Sequence, residues 1–268
     1  MKKYISLLND TTFKYLWKED LTRAWLNKLI FYITNIDTKE YKLIDNELNS
    51  GNSNKDYRLD ILLKKESSTI NVEMNSIAED YVLLKNHSYL YRIAGNQFNK
   101  GEKYKKYKVI QINFNNTFCT IDHNIGIATF EFQDKENNMI IEEIKDYEVY
   151  LPKYKDICYN NDNEKEMMLA LFTATTYEEM RNIANGNKEA LKIVEELERL
   201  SEDKYFGALY DNTVVQRKLE NSAFDLGEQR KEQDIFVHLQ NKGYKKEEII
   251  EILNIDEEKY LLLANLNN

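Results

Sequence analysis

The feature that most constrains this chain is a pair of acidic residues in a short β-patterned hairpin. Two apolar runs, 59–63 and 70–74, flank a polar turn, which is typical of two antiparallel strands. Asp60 lies in the first run and Glu73 in the second, although a carboxylate buried without a partner is costly. A divalent cation between the two removes this cost, and hard oxygen ligands suit Mg²⁺. Asn75 shares a strand face with Glu73, so three polar groups are predicted to converge on one metal site.

Further motifs are distributed along most of the chain. The opening residues Asn9-Asp10-Thr11-Thr12-Phe13-Lys14 form a distinctive helix start, and residues 89–114 combine a helix, a Gly-Glu-x-Tyr turn and a strand. Together with the hairpin and residues 180–184 and 195–201, they resemble the recombination-promoting nuclease/transposase family of the PD-(D/E)XK nuclease superfamily. The resemblance implies a Mg²⁺-dependent DNA endonuclease that hydrolyses phosphodiester bonds. Its implied role is recombination, mobile-element activity or phage defence.

The resemblance also implies individual roles for the site residues. Asp60 and Glu73 would bind the metal and form the catalytic group with Asn75, while Glu47 from the preceding strand would complete the metal shell. Mn²⁺ and Ca²⁺ are alternatives to Mg²⁺. The superfamily usually has Lys, and the family commonly Gln, at the position of Asn75, so we expect lower activity or a shifted metal preference. An alternative is a non-catalytic protein whose degenerate nuclease core mediates assembly.

Simpler explanations stay open for several of these residues. Asp60 could be a strand-end carboxylate paired with Arg58 or Lys64, and Asp10 is expected to cap a helix rather than to bind metal. The three histidines are scattered without partner spacing, so we expect structural or surface roles for them. They are His87, His123 and His238.

Positive charge is concentrated in the half of the chain that contains the hairpin. Residues 1–112 carry 19 Lys and Arg against 14 Asp and Glu, although the whole chain has a net charge of −9. Phosphate binding needs only a local basic surface. We expect DNA contacts from Lys14, from Arg92 and Gln97, and from a lysine patch interleaved with tyrosines that could stack on bases. The patch comprises Lys100, Lys103, Lys105, Lys106 and Lys108. A solvated turn is the simpler alternative for it.

The order of helix and strand patterns predicts an α/β fold. Apolar residues between Phe13 and Ile33 recur at helical spacing, which predicts one helix capped by Asp10. The elements expected after it are a strand at 40–48, the hairpin, a helix at 78–98, a strand at 107–114 and further strands in 117–151. This order matches the αβββαβ core with a mixed sheet that restriction-endonuclease-like proteins have.

A helical C-terminal region is expected to follow Pro152, the only proline in the chain. The predicted domains are therefore a nuclease domain at 1–152 and a helical region at 153–268. Its helices are expected at 164–184, 188–200, 202–240, 245–253 and 256–266. The last three have the outline of a helix-turn-helix unit, but Asp256, Glu257 and Glu258 open the final helix, and phosphate would repel them. The acidic charge and the apolar residues of 202–240 predict a homodimer contact rather than a DNA contact.

Nothing in the sequence predicts membrane insertion or export. No run approaches the roughly 18–20 apolar residues that span a bilayer, and the first residues lead into no signal sequence. Cys119 and Cys158 have neither metal-binding nor disulfide spacing. We therefore expect a cytoplasmic protein with reduced thiols and no membrane partner.

Overall fold

A six-stranded mixed sheet organises the region between residues 42 and 150. This computed structural model describes residues 3–18, 20–44, 47–48, 57–76, 81–97, 101, 103, 106–118, 124–137, 139–211, 233–253 and 255–265. The described residues contain the strands β1 (Lys42–Ile44), β2 (Glu47–Leu48), β3 (Tyr57–Arg58), β4 (Ile61–Lys65), β5 (Ser68–Asn75), β6 (Lys108–Asn115), β7 (Ile127–Asp134) and β8 (Met139–Tyr150). Six of them form the main sheet, and β2 and β3 form a separate ladder. The α/β class predicted from the sequence is confirmed.

The strand order in the main sheet is β1-β4-β5-β6-β8-β7. The hairpin strands β4 and β5 are antiparallel, whereas β6 pairs parallel to both β5 and β8. The predicted extra strands are confirmed, because β7 and β8 pair antiparallel at one edge. The segment expected as one strand at 40–48 is wrong: β1 joins the main sheet, while β2 pairs with β3 in a separate ladder.

The helices of the first part of the chain alternate with the strands and then follow them. They are α1 (Asp10–Leu16), α2 (Asp20–Thr34), α3 (Val82–Gly95), α4 (Glu164–Ala170), α5 (Tyr177–Ala184) and α6 (Lys188–Glu202). The single helix expected up to Ile33 is wrong, because α1 ends in a turn in which the backbone N–H of Lys18 donates to Tyr15. The expected cap is also wrong: Asn9 Oδ1 accepts from the N–H groups of Thr11 and Thr12, and Asp10 is the first helical residue.

One face of the sheet is apolar and carries an aromatic cluster. Phe114 of β6 stacks on Phe172 with 5.4 Å between ring centroids, and Phe13 of α1 meets Phe114 edge-on at 6.0 Å. Trp25 of α2 also stacks on Phe172, with 6.1 Å between ring centroids. All four rings are buried. This cluster fixes α1 and α2 against the sheet, and with them the lysine at position 14.

The opposite face of the sheet is covered by α3. The C-terminal half of this helix packs Leu90, Ile93 and Ala94 against Leu62 and Val109. The N-terminal half instead presents Lys85, Asn86 and His87, which contact polar side chains on β5, β6 and β8. The helix therefore covers an apolar area at one end and a polar area at the other.

Packing divides the chain into two compact units, Met1–Asp211 and Asn212–Asn268. The expected long helix at 202–240 falls partly outside the described residues; 204–211 and 233–241 are helical. Phe206 and Tyr210, two residues of its expected apolar stripe, are buried within the first unit. In the second unit, 233–241, Lys246–Leu253 and Glu257–Asn265 surround a small core. That core comprises Phe236, Leu239, Ile249 and Leu263.

Across the described ranges, the helices all fall short of the length and apolarity needed to cross a membrane.

Candidate metal centre

Asp60 and Glu73 lie opposite each other on the hairpin strands. Ile61 pairs with Val72 in this ladder, so Asp60, immediately before β4, faces Glu73 on β5. The backbone N–H of Asp60 donates to Glu73 Oε1 at 3.3 Å, and the N–H of Met74 donates to Asp60 Oδ2 at 2.9 Å. Only 8% of Asp60 and 3% of Glu73 is exposed. The fold therefore brings the two carboxylates together in a position that is shielded from water.

The surroundings disfavour negative charge on both acids. Burial raises the pKa of Asp60; Lys14 opposes this effect and Asp10 adds to it. Burial also raises the pKa of Glu73 well above its ordinary value, and the charge of Asp60 raises it further. Lys14 Nζ lies 2.9 Å from Asp60 Oδ1, yet the pKa of Asp60 remains raised. The positive charge that the protein supplies therefore falls short of what two ionised carboxylates require.

These residues fit a hard divalent cation. Mg²⁺ typically takes one or two protein carboxylates and keeps several waters, and Asp60 and Glu73 offer two such oxygen ligands. A cation between them would stabilise the ionised forms that burial disfavours. Glu47, the predicted third ligand, belongs to β2, but its side chain lies outside the described residues.

Asn75 is buried on the same strand face as Glu73, and its amide is held at both ends. Its Nδ2 donates to Asn86 Oδ1 at 3.1 Å and to Asn115 Oδ1 at 2.9 Å. Its Oδ1 accepts from Lys85 Nζ at 2.9 Å. The charge of Lys85 also lowers the pKa of Glu73 against the effect of burial. Lys85 of α3, which sequence reasoning did not single out, therefore lies beside both residues of the Glu-x-Asn motif.

A buried polar layer continues from Glu73 and Asn75 across three strands. In register, Glu73 faces Asn113 and Asn113 faces Glu148, so polar groups follow one another along the sheet. The layer comprises Asn71, Glu73, Asn75, Gln111, Asn113, Asn115, Asp146 and Glu148, all buried. Sequence reasoning predicted β6 as a buried strand and missed this layer. The available indication was the alternation of Gln111, Asn113 and Asn115 with apolar residues.

The predicted DNA-binding residues are spread over several elements. Gln97 donates through Nε2 to Ile93 O at 2.7 Å and accepts from Thr69, so its amide is bonded within the protein. Arg92 lies on α3 and is partly exposed, and Lys103 and Lys106 are exposed. Lys106 and Lys108 line a cavity of about 230 Å³ together with Glu143. Lys100 and Lys105 lie outside the described residues.

A second acidic group occupies the far end of the polar layer. Asp146 and Glu148 of β8 meet His87 of α3, with one ligand atom from each residue within 4.8 Å of the others. The sequence predicts only a structural or surface role for His87 and no role for the two acids. The alternating acids at 146 and 148 were the only indication, since His87 lies about 60 residues away in sequence.

Comparisons of the chain with protein-family models, with curated proteins and with solved structures give no match. The family resemblance drawn from the sequence motifs therefore stays a prediction.

Proposed function

We propose that this chain is a metal-dependent DNA endonuclease that hydrolyses phosphodiester bonds. The observation that carries the proposal is the buried pair Asp60 and Glu73, which face each other across the hairpin with raised pKa values. Carboxylates in such a position are typical of sites where a hard cation meets phosphate. The order of α1, the strands, α3 and β6 also supports a restriction-endonuclease-like core.

The residues of the site have distinct roles in this proposal. Asp60 and Glu73 would hold Mg²⁺, with Mn²⁺ or Ca²⁺ as alternatives; the bound ion supplies Lewis acidity and lowers the pKa of a bound water. Lys14 contacts Asp60 Oδ1, and Lys85 contacts Asn75 Oδ1, so two ammonium groups flank the carboxylate pair. These groups offset negative charge that develops on the reacting phosphate. Asn75 positions Lys85 through its side-chain oxygen.

DNA is the proposed substrate because the basic residues lie in the same part of the chain as the carboxylate pair. Lys103 and Lys106 are exposed ahead of β6 and can hold phosphates, while Arg92 and Gln97 lie on and just beyond α3. A homodimer formed through C-terminal helices would present two sites to one duplex. Recombination, mobile-element activity and phage defence are the roles consistent with such a nuclease.

One observation favours a second candidate, a non-catalytic assembly protein. Hydrogen bonds from within the protein occupy both ends of the Asn75 amide. An amide held in this way supports the buried polar layer whether or not a reaction takes place beside it. In this candidate, the Asp60–Glu73 pair would be a remnant of a catalytic site.

Cleavage of supercoiled plasmid by the full-length protein distinguishes the two candidates. The protein is incubated in parallel with Mg²⁺, Mn²⁺, Ca²⁺ and a chelator. The nuclease proposal expects nicked or linear plasmid with at least one cation and none with the chelator. Intact plasmid under every condition, together with a stable oligomer by light scattering, would instead support the assembly protein.

A further inference from the structure

Three potential metal ligands from two elements meet at the far end of the polar layer. Asp146 and Glu148 alternate on β8 and therefore point to the same face, and His87 of α3 lies over them. His87 Nε2 is 3.3 Å from Asp146 Oδ2, and one ligand atom from each residue lies within 4.8 Å of the others. Both acids are fully shielded, with 1% or less of each exposed. The imidazole is partly exposed, which leaves a route for an ion from solvent.

A second observation is that one buried carboxylate oxygen of this cluster has only ionisable groups around it. Asp146 Oδ1 accepts from Asn113 Nδ2 at 2.7 Å, whereas no conventional donor reaches the buried Oδ2 among the described residues, and the carboxyl group interacts with the carboxyl of Glu148. A buried carboxylate oxygen without a partner is uncommon and costly. This oxygen is the atom that faces His87 Nε2. A cation bound to both atoms would replace this contact with two metal–ligand bonds.

The surrounding side chains hold the three ligands in place. Glu148 accepts hydrogen bonds from the amides of Asn86, Asn113 and Asn115, at distances between 2.5 and 3.1 Å. The His87 ring meets Phe130 edge-on, with 5.4 Å between centroids, and Phe130 pairs with Asp146 across the strands. Amides that orient ligating carboxylates and contacts that fix a ligating imidazole are the usual support of a metal site.

The three side chains are also of the types that bind metal ions. Burial and the neighbouring Glu148 raise the pKa of Asp146 to about 8, and burial raises the pKa of Glu148 to about 7. Burial lowers the pKa of His87, which keeps its imidazole neutral near pH 7. A neutral imidazole is the form that binds metal, and a divalent ion would compensate both acids.

We propose that His87, Asp146 and Glu148 form a binding site for a divalent transition metal, separate from the Asp60–Glu73 pair. One imidazole nitrogen with two carboxylate oxygens suits Zn²⁺ or Mn²⁺ better than Mg²⁺, which prefers oxygen ligands alone. Glu73 and Glu148 are two strands apart in register, which corresponds to about 10 Å. The ion links α3 to β8 and thereby stabilises the position of Lys85 and Asn86. This inference does not depend on the proposed nuclease function.

Calorimetric titration of metal-stripped, full-length protein with Zn²⁺ tests the site. We expect one equivalent to bind at this site, in addition to any taken up by Asp60 and Glu73, and His87→Gln and Asp146→Asn each to weaken its binding by at least about tenfold. Asp146→Asn imitates the protonated carboxyl and should therefore keep the fold, which circular dichroism checks. His238→Gln is the matched control, because His238 is exposed in the second unit and should leave binding unchanged.

The double variant Asp60→Asn/Glu73→Gln separates this inference from the proposed function. It should bind Zn²⁺ as tightly as the unmodified protein, even if it has no effect on plasmid. Co²⁺ as a second probe should give a visible absorption spectrum that His87→Gln changes. Zn²⁺ binding whose stoichiometry and affinity both His87→Gln and Asp146→Asn leave unchanged, or that only the Asp60/Glu73 variant abolishes, would overturn the proposal.

Discussion

Replacing Asp146 with Asn should stabilise the metal-free protein by an amount that grows with pH. Burial and the nearby Glu148 raise the pKa of Asp146 from 3.8 to about 8. Each pH unit between the unfolded and folded pKa values corresponds to about 1.4 kcal/mol. Asn has the same shape and does not ionise, so the advantage of the variant should increase between pH 5 and pH 7, on the order of 1 kcal/mol per pH unit.

The direction of this pH dependence follows from which state, folded or unfolded, binds the proton of Asp146 more tightly. The folded protein keeps Asp146 protonated in the range where the unfolded chain has already released the proton, so its stability falls as pH rises from about 4 to about 8. Above about 8 both states are ionised and the difference becomes constant. His87 has a lowered pKa, so its contribution to stability is lost as pH falls below 6.5, and the comparison is most direct above that pH, where its imidazole is neutral in both proteins.

Urea unfolding at pH 5, 6, 7 and 8 in the presence of EDTA measures this difference. Trp17 and Trp25 are both buried in the first unit, so their fluorescence reports its unfolding. Asp134→Asn, at the end of β7, is the matched control. Hydrogen bonds lower the pKa of Asp134, so its replacement should give no gain in stability that grows with pH. An Asp146→Asn gain that is equal at all four pH values, or a loss that increases with pH, would refute the reasoning.

Three further predictions concern two residues beside the Asp60–Glu73 pair and the C-terminal boundary of the first unit. Lys85→Ala should reduce cleavage at least about tenfold while Lys85→Arg retains part of it, because the ammonium group lies 2.9 Å from Asn75 Oδ1; plasmid nicking rates measure both. Asn75→Lys introduced into Lys85→Ala should restore cleavage, because it returns an ammonium group to the same place, and an inactive double variant would contradict this role. Truncation after Asp211 should convert an oligomer into a folded monomer in light scattering, whereas an unchanged mass per particle would refute dimerisation through the C-terminal region.

The hairpin could be predicted from the sequence because its information is local. Asp60 and Glu73 lie on two short β-patterned runs joined by a tight turn, and antiparallel pairing across such a turn leaves few possible registers. The strands β7 and β8 were predictable for the same reason. In each case the pattern of one segment and the position of one turn determine the pairing.

Beyond the alternation along β6, the polar layer could not be predicted, because its members come from distant segments and have atypical environments. Asn113 and Asn115 are residue types that usually lie at the surface, yet here they are buried because Glu148 accepts their amide protons. His87 reaches Asp146 only when α3 covers β8, which is a consequence of the whole fold. The break between α1 and α2 escaped prediction because the apolar spacing continues through it.

The nuclease account is tested most directly by Glu73→Gln compared with Glu66→Gln in the plasmid assay. Both replacements remove one carboxylate from the same hairpin, but Glu73 is buried beside Asp60 and Glu66 is exposed in the turn. Glu73→Gln should abolish cation-dependent nicking and keep the fold, while Glu66→Gln should cleave like the unmodified protein. Nicking that persists at the unmodified rate in a folded Glu73→Gln protein would contradict the nuclease proposal.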